Sequence, residues 1–115
     1  MALPKRAEAF EYYVELVSQA DTKLFQVNPT LAAGDVQVSI DGGAFANLAT
    51  LPSVSPASGR QVKVKLSAAE MTGDNIGVQF VDAAGAEWCD RYDDFSLGTR
   101  TAEDLTFLVT KRTGV

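Results

Sequence analysis

Five carboxylates lie within thirteen residues in the C-terminal half of the chain, and they are the side chains best placed to do chemistry. They are Asp82, Glu87, Asp90, Asp93 and Asp94. Oxygen-rich clusters can hold Ca²⁺, but this spacing does not match an EF-hand loop, and Arg91 lies inside the cluster. A general acid/base pair would need a pocket that shifts the pKa of one carboxyl group. We therefore interpret the cluster as a solvated loop that is partly paired with Arg91.

Nucleophilic catalysis lacks its usual partners in this sequence. The chain has no histidine, which removes Ser-His and Cys-His pairs and every His-ligated metal site. The single cysteine, Cys89, follows Trp88 and fits a small buried residue better than a nucleophile. Asp41-Gly42-Gly43 lacks the Lys and Ser/Thr of a phosphate-binding loop. These features predict a protein that is not an enzyme and that uses no metal or cofactor.

Aromatic side chains offer a different kind of chemistry, the stacking of sugar rings. The residues concerned are Tyr12, Tyr13, Trp88, Tyr92 and Phe95. Aromatic residues are also the common anchors of protein cores and of subunit interfaces. We favour core and interface roles for these residues, and a carbohydrate-binding face stays as the alternative.

The composition is that of an ordinary folded domain. A chain of 115 residues, 46% hydrophobic and 22% charged, suits one domain that buries roughly two-thirds of its unfolded surface. The net charge is -5 and no long basic run is present, which argues against nucleic acid as a partner. No apolar run reaches the roughly 20 residues of a membrane helix, and acidic residues interrupt the N-terminal region, so we expect no membrane partner, no secretory signal and synthesis in a cytoplasm.

Alternation of apolar and polar residues predicts β-strands along most of the chain, most clearly between Asp35 and Gly85. The first strand also fits a helix by composition, but the run Tyr12-Tyr13-Val14 favours a strand. The predicted strands are Ala9–Val17, Leu24–Val27, Asp35–Ile40, Ala44–Leu48, Arg60–Leu66, Asn75–Val81 and Leu105–Thr110.

Local signals predict the connections between these strands. Asp41-Gly42 is typical of a hairpin turn, and the residues after it bring Phe45 to the core. Leu51–Gly59, rich in Pro and Ser, is interpreted as an exposed loop. Ser67-Ala68-Ala69-Glu70 matches a capping box, which predicts one helical turn with Met71 folded back onto the core.

This pattern predicts an all-β protein, an antiparallel β-sandwich of about seven strands with extended termini. We divide the chain into an N-terminal arm at residues 1–8, a sandwich domain at residues 9–91, and a C-terminal segment at residues 92–115. The last segment is expected to be an arm or an added strand.

Residues 1–90 resemble small structural proteins of tailed bacteriophages. Three pieces carry the resemblance, in an unusual order: D-G-G-A-x-x-N-L at Asp41–Leu48, L-S-A-x-E-M at Leu66–Met71, and a strand running into D-A-A-G at Ile76–Gly85. The resemblance implies an immunoglobulin-like β-sandwich built into a virion. It implies no catalytic residues.

On this basis we expect a non-enzymatic virion protein, most specifically a head decoration or cement protein that binds the outer surface of the shell. Its partners would be the major capsid protein or other virion proteins, and we expect homo-oligomers. A tail, baseplate or fibre accessory domain is the alternative place in the virion. The terminal segments Met1–Glu8 and Thr101–Val115 are the expected contacts. The individual candidates for partner binding are Leu3, Pro4, Arg6, Tyr13, Tyr92, Phe95, Leu97 and Phe107.

Overall fold

The computed structural model describes residues 4–97. Within them the chain forms seven strands and one 3₁₀ turn at Ala69–Met71. The strands are β1 (Phe10–Glu15), β2 (Val36–Ile40), β3 (Ala46–Asn47), β4 (Ser53–Val54), β5 (Gln61–Leu66), β6 (Asn75–Phe80) and β7 (Arg91–Ser96).

The strands form two antiparallel sheets, which confirms the predicted all-β sandwich. One sheet has the order β1-β5-β4 and the other has the order β3-β2-β6-β7. Strands β1 and β7 therefore each lie at an edge of a different sheet. The six residues of β7 pair in register with all of β6, so the first part of the predicted C-terminal segment is a strand of the sandwich.

The core fills the space between the sheets, and strands β1, β2, β5 and β6 each contribute one face to it. Alternate residues of β1, β5 and β6 are buried there, as the period-two pattern predicts. Trp88 and Met71 are fully buried in the same core. The core side chains are Phe10, Tyr12, Val14, Leu16, Val36, Val38, Leu48, Val62, Val64, Leu66, Met71, Ile76, Val78, Phe80, Trp88 and Leu97.

The two strongest local predictions are confirmed. At the β2–β3 turn, Asp41 and Gly42 both have positive φ, and the N–H of Gly43 donates to the carbonyl of Ile40, as in a type I′ hairpin turn. In the capping box, the Ser67 N–H donates to Glu70 Oε1 at 2.8 Å, and the Glu70 N–H donates to Ser67 Oγ at 3.2 Å. The box starts the 3₁₀ turn that carries Met71 into the core.

Three local predictions are wrong. Leu24–Val27 is not a strand, because among the described residues it forms one isolated β-bridge, between Phe25 and Val17, and no continuous strand pairing. Leu51–Gly59 is not only a loop, because β4 within it pairs with the free side of β5. Phe45 is not a core anchor but is 39% exposed. Ala46 lies opposite the buried Val38, and since successive side chains alternate between faces, Phe45 faces away from the core.

The predicted strand Leu105–Thr110 lies outside the described residues. So do the predicted contact residues Leu3 and Phe107.

Candidate interaction surfaces

The two ends of the described chain meet at Asp74, in the loop between the 3₁₀ turn and β6. The Arg6 guanidinium forms an ion pair with the Asp74 carboxylate. The N–H of Leu97, just after β7, donates to the Asp74 main-chain carbonyl at 2.6 Å. The N–H of Ala7 donates to the carbonyl of Met71 nearby at 2.8 Å. Residues 4–7 and residue 97 therefore belong to the same end of the sandwich.

The predicted contact residues Tyr13 and Tyr92 lie on the outer faces of different sheets. Tyr13, 47% exposed, is on β1 directly across from Lys63 of β5. Tyr92, 60% exposed, is on β7 directly across from Gln79 of β6. One flat partner surface cannot cover both rings in one sandwich.

Phe95 and Leu97, two further predicted contacts, lie inside the sandwich. The Phe95 ring packs edge-to-face on Phe10 and on Tyr12, with centroids 5.5 Å and 5.0 Å apart. Leu97 is only 3% exposed. Pro4 is half-buried. The partly buried Phe95 ring closes the edge between β1 and β7. The exposed members of the predicted set are Arg6, Tyr13 and Tyr92.

The outer face of the four-stranded sheet carries a row of uncharged polar side chains that ends in an aromatic ring. The strand registers place Asn47, Gln37, Gln79 and Tyr92 side by side across β3, β2, β6 and β7. Gln37 Nε2 donates to Asn47 Oδ1 at 3.0 Å. We call these four residues the amide–tyrosine row.

The Tyr92 ring lies over Gly77, its diagonal neighbour on β6. A Cβ placed on Gly77 would lie 3.0 Å from Cζ and 3.1 Å from Cε1 of that ring. Glycine thus supplies the space into which the ring packs, because it carries no side chain there. A depression of about 320 Å³ adjoins the ring and is lined by Gln79, Phe80, Val81, Asp90, Arg91 and Tyr92.

An exposed apolar segment at the opposite end of β1 escaped the sequence reasoning. Leu24, Phe25 and Val27 are each about half exposed. The segment returns alongside the end of β1, where the N–H of Gln26 donates to the carbonyl of Leu16. The sequence predicts a short strand at Leu24–Val27, and the Asn28-Pro29 pair that ends it is the signal that this run is too short to form one.

Two members of the carboxylate cluster, Asp82 and Asp93, bind different groups of the protein. Asp82 accepts hydrogen bonds from the N–H groups of Ala84, Gly85, Glu87 and Trp88. Burial acts to raise the pKa of Asp82, but these N–H donors outweigh it and the pKa is lowered. Asp93 pairs with Arg91 at 3.0 Å, as predicted, but Asp93 and Asp94 lie on strand β7 and not in a loop. Among residues 4–97, no three Asp, Glu or Cys side chains converge to hold a metal ion.

The one strongly perturbed titratable group in the described chain is Tyr12. Its hydroxyl donates to Asp93 Oδ2 at 2.9 Å. Burial, and next the charge of Asp93, raise the pKa of Tyr12 well above its ordinary value of 10.0. The Tyr12 hydroxyl therefore keeps its proton and donates it to the hydrogen bond with Asp93, and this bond joins the two sheets.

No protein-family model, curated protein or solved structure matches this chain. In the part of the chain that the structure describes, no helix is long and apolar enough to cross a membrane.

Proposed function

We propose that this chain is a structural protein of a tailed-phage virion, most specifically a decoration protein that binds the outer surface of the capsid shell. The observation that carries the proposal is the meeting of Arg6 and Leu97 at Asp74. The segments that continue from Pro4 and from Leu97 start at one end of the sandwich, so both can reach the same partner surface.

The sandwich itself serves as the rigid body that presents these segments. Its core is continuous from the capping box to Trp88, and the described polar side chains that are fully buried all have hydrogen-bond partners. The resemblance of residues 1–90 to small phage structural proteins supports the same role. If several linked copies bind the shell together, weak individual contacts are enough for stable attachment, because the avidity of linked binding events exceeds the affinity of each one.

Electron microscopy of the tailed-phage particles whose genome encodes this chain tests the proposal. A gold-labelled antibody against the chain should mark the capsid at regular intervals. Label confined to the tail or its tip would replace the decoration role with that of a tail or baseplate domain. Absence of label on intact and permeabilised particles would refute a place in the virion.

Rebinding to particles that lack the chain tests the contact assignment. Deletion of residues 101–115 and the substitution Arg6→Ala should each weaken binding while thermal unfolding stays cooperative. Lys23→Ala is the matched control, because this exposed cation precedes the Leu24–Val27 segment at the opposite end of β1 and is not among the predicted contacts. If both altered chains bind as tightly as the control, the terminal segments are not the contacts.

A further inference from the structure

We propose that the amide–tyrosine row on the four-stranded sheet binds a neutral saccharide, with the Tyr92 ring as its stacking platform. This site is separate from the proposed shell contacts, and it can be tested with the purified chain alone. Trp88, one of the five aromatic residues that the sequence offers for sugar stacking, is fully buried and cannot reach a ligand.

The Tyr92 ring has the arrangement that sugar stacking requires. The Cε1–Cζ edge of the ring lies next to Gly77, and the side chain is nevertheless 60% exposed, so much of the ring is open to solvent. The face of an aromatic ring is electronegative, and a pyranose presents C–H groups of the opposite polarity on its flat side. A ring held against the sheet pays little conformational entropy when a ligand stacks on it.

The groups beside the ring supply the hydrogen bonds that hydroxyls need. The Gln79 amide has no side-chain hydrogen bond to any described residue, and it adjoins both the ring and the depression of about 320 Å³. An amide offers both donors and acceptors, which matches hydroxyl groups that do the same. Asp90 lines the depression and Asp94 lies across from Gly77, and each adds carboxylate oxygens that accept from hydroxyls.

Charge selects a neutral ligand over an anionic one. The row itself contains no charged side chain, and two carboxylates adjoin it: Asp90 lines the depression and Asp94 lies on β7 across from Gly77. Arg91, the cation beside the depression, already pairs with Asp93 and donates to the Glu15 carbonyl. The chain carries a net charge of -5. An acidic saccharide or a phosphate group would be repelled at this surface.

Nuclear magnetic resonance titration of the full chain measures the binding. The probes are neutral hexaoses of glucose, galactose and mannose at millimolar concentrations, and a hexagalacturonate as the acidic comparison. We expect at least one neutral hexaose to shift the amide signals of residues 77–79 and 92–94, and the acidic one to have no effect there. The inference is overturned if no neutral hexaose shifts these signals, if the shifts lie elsewhere, or if hexagalacturonate binds more tightly.

Substitutions then separate stacking from a general change in the fold. Tyr92→Ala should weaken binding at least about tenfold, and Tyr92→Phe should keep it within about threefold because the ring remains. Gln79→Ala should weaken binding through its amide while leaving the ring in place. Tyr13→Ala, which removes the exposed tyrosine of the other sheet, should leave the affinity for the saccharide unchanged. Equal affinities of Tyr92→Ala and Tyr13→Ala, with both folded, would overturn the role of Tyr92.

Discussion

The hydroxyl of Tyr12 donates a 2.9 Å hydrogen bond to the carboxylate of Asp93, and this bond joins the edge strands of the two sheets. Tyr12 lies on β1 and Asp93 on β7, and these strands pair with different neighbours. The Tyr12 ring also packs on Phe95, two residues further along β7. Side chains therefore close the open edge of the sandwich, through the Tyr12–Asp93 hydrogen bond and the aromatic contact between Tyr12 and Phe95.

Removal of this hydroxyl should destabilise the fold. Tyr12→Phe keeps the ring contacts and deletes the donor to a charged acceptor, so we expect the free energy of unfolding to fall by about 1–3 kcal/mol. Urea denaturation measures the change. Tyr13→Phe is the control, since that hydroxyl lies on an exposed outer face, and its effect should be near zero. Similar losses in the two variants would contradict the structural role of the Tyr12–Asp93 bond.

The same hydroxyl should make stability depend on alkaline pH. The pKa of Tyr12 is raised in the folded chain above the ordinary value of 10.0 that the unfolded chain has. Its contribution to stability is thus fully present below pH 10 and is lost as the pH rises beyond it, because only the unfolded state releases the proton. The loss is at most about 1.4 kcal/mol per pH unit.

Paired denaturation curves of the wild type and Tyr12→Phe from neutral pH to above pH 10 measure this dependence. The difference in unfolding free energy should be constant up to about pH 10 and should then shrink, since the variant lacks the titrating group. A difference that stays constant throughout would show that Tyr12 titrates alike in both states.

The sequence predicts correctly those features of the fold that depend on a few neighbouring residues, such as strand alternation and tight turns. The alternation in Phe10-Glu11-Tyr12 requires only a strand with one buried face. The positive φ values at Asp41 and Gly42 need residues that tolerate them. Phe45 was misplaced because its direction depends on the pairing of Ala46 with Val38, which is a property of two strands together and is not written in either one alone.

The candidate saccharide site depends on non-local pairing to an even greater degree. Tyr92 and Gly77 are fifteen positions apart in the sequence, and their contact exists only because of the register between β6 and β7. Without that register, Tyr92 was one aromatic residue among several. Trp88, another of those residues, is fully buried, in line with the core and interface roles that the sequence favours for them.

Glu70 should be essential to the stability of the 3₁₀ turn. Its buried carboxylate accepts from the N–H of Ser67 at 2.8 Å and from the N–H of Ala49 at 3.0 Å. Glu70→Ala leaves both donors without this partner, so we expect a loss of about 2–4 kcal/mol in unfolding free energy. Glu8→Ala, at an exposed position, is the control and should change it by less than about 0.5 kcal/mol. A loss at Glu70 no larger than that of the control would show that water replaces the carboxylate.

Trp88 should contribute to the stability of the core and should make no direct contact with a ligand. It is fully buried, and its indole Nε1 donates to the Thr30 carbonyl at 3.1 Å. Trp88→Ala should lower the unfolding free energy by about 3–5 kcal/mol, measured by chemical denaturation. A folded, fully stable Trp88→Ala chain would contradict this placement. Loss of glycan binding in an unfolded variant would carry no information about the ligand site.

Gly77→Ala should alter the Tyr92 ring without unfolding the sheet. The added methyl group would occupy the space of the ring, but Tyr92 is exposed and can rotate away, so we expect a stability change within about 1 kcal/mol. The ring signals of Tyr92 in nuclear magnetic resonance should shift, and saccharide binding should fall because the added methyl group displaces the ring from its position beside Gln79. In a Tyr92→Ala background, Gly77→Ala should cause no further change in unfolding free energy or in saccharide binding, since no ring is left to displace. An equal effect of Gly77→Ala in both backgrounds would mean that the ring and the glycine are not coupled.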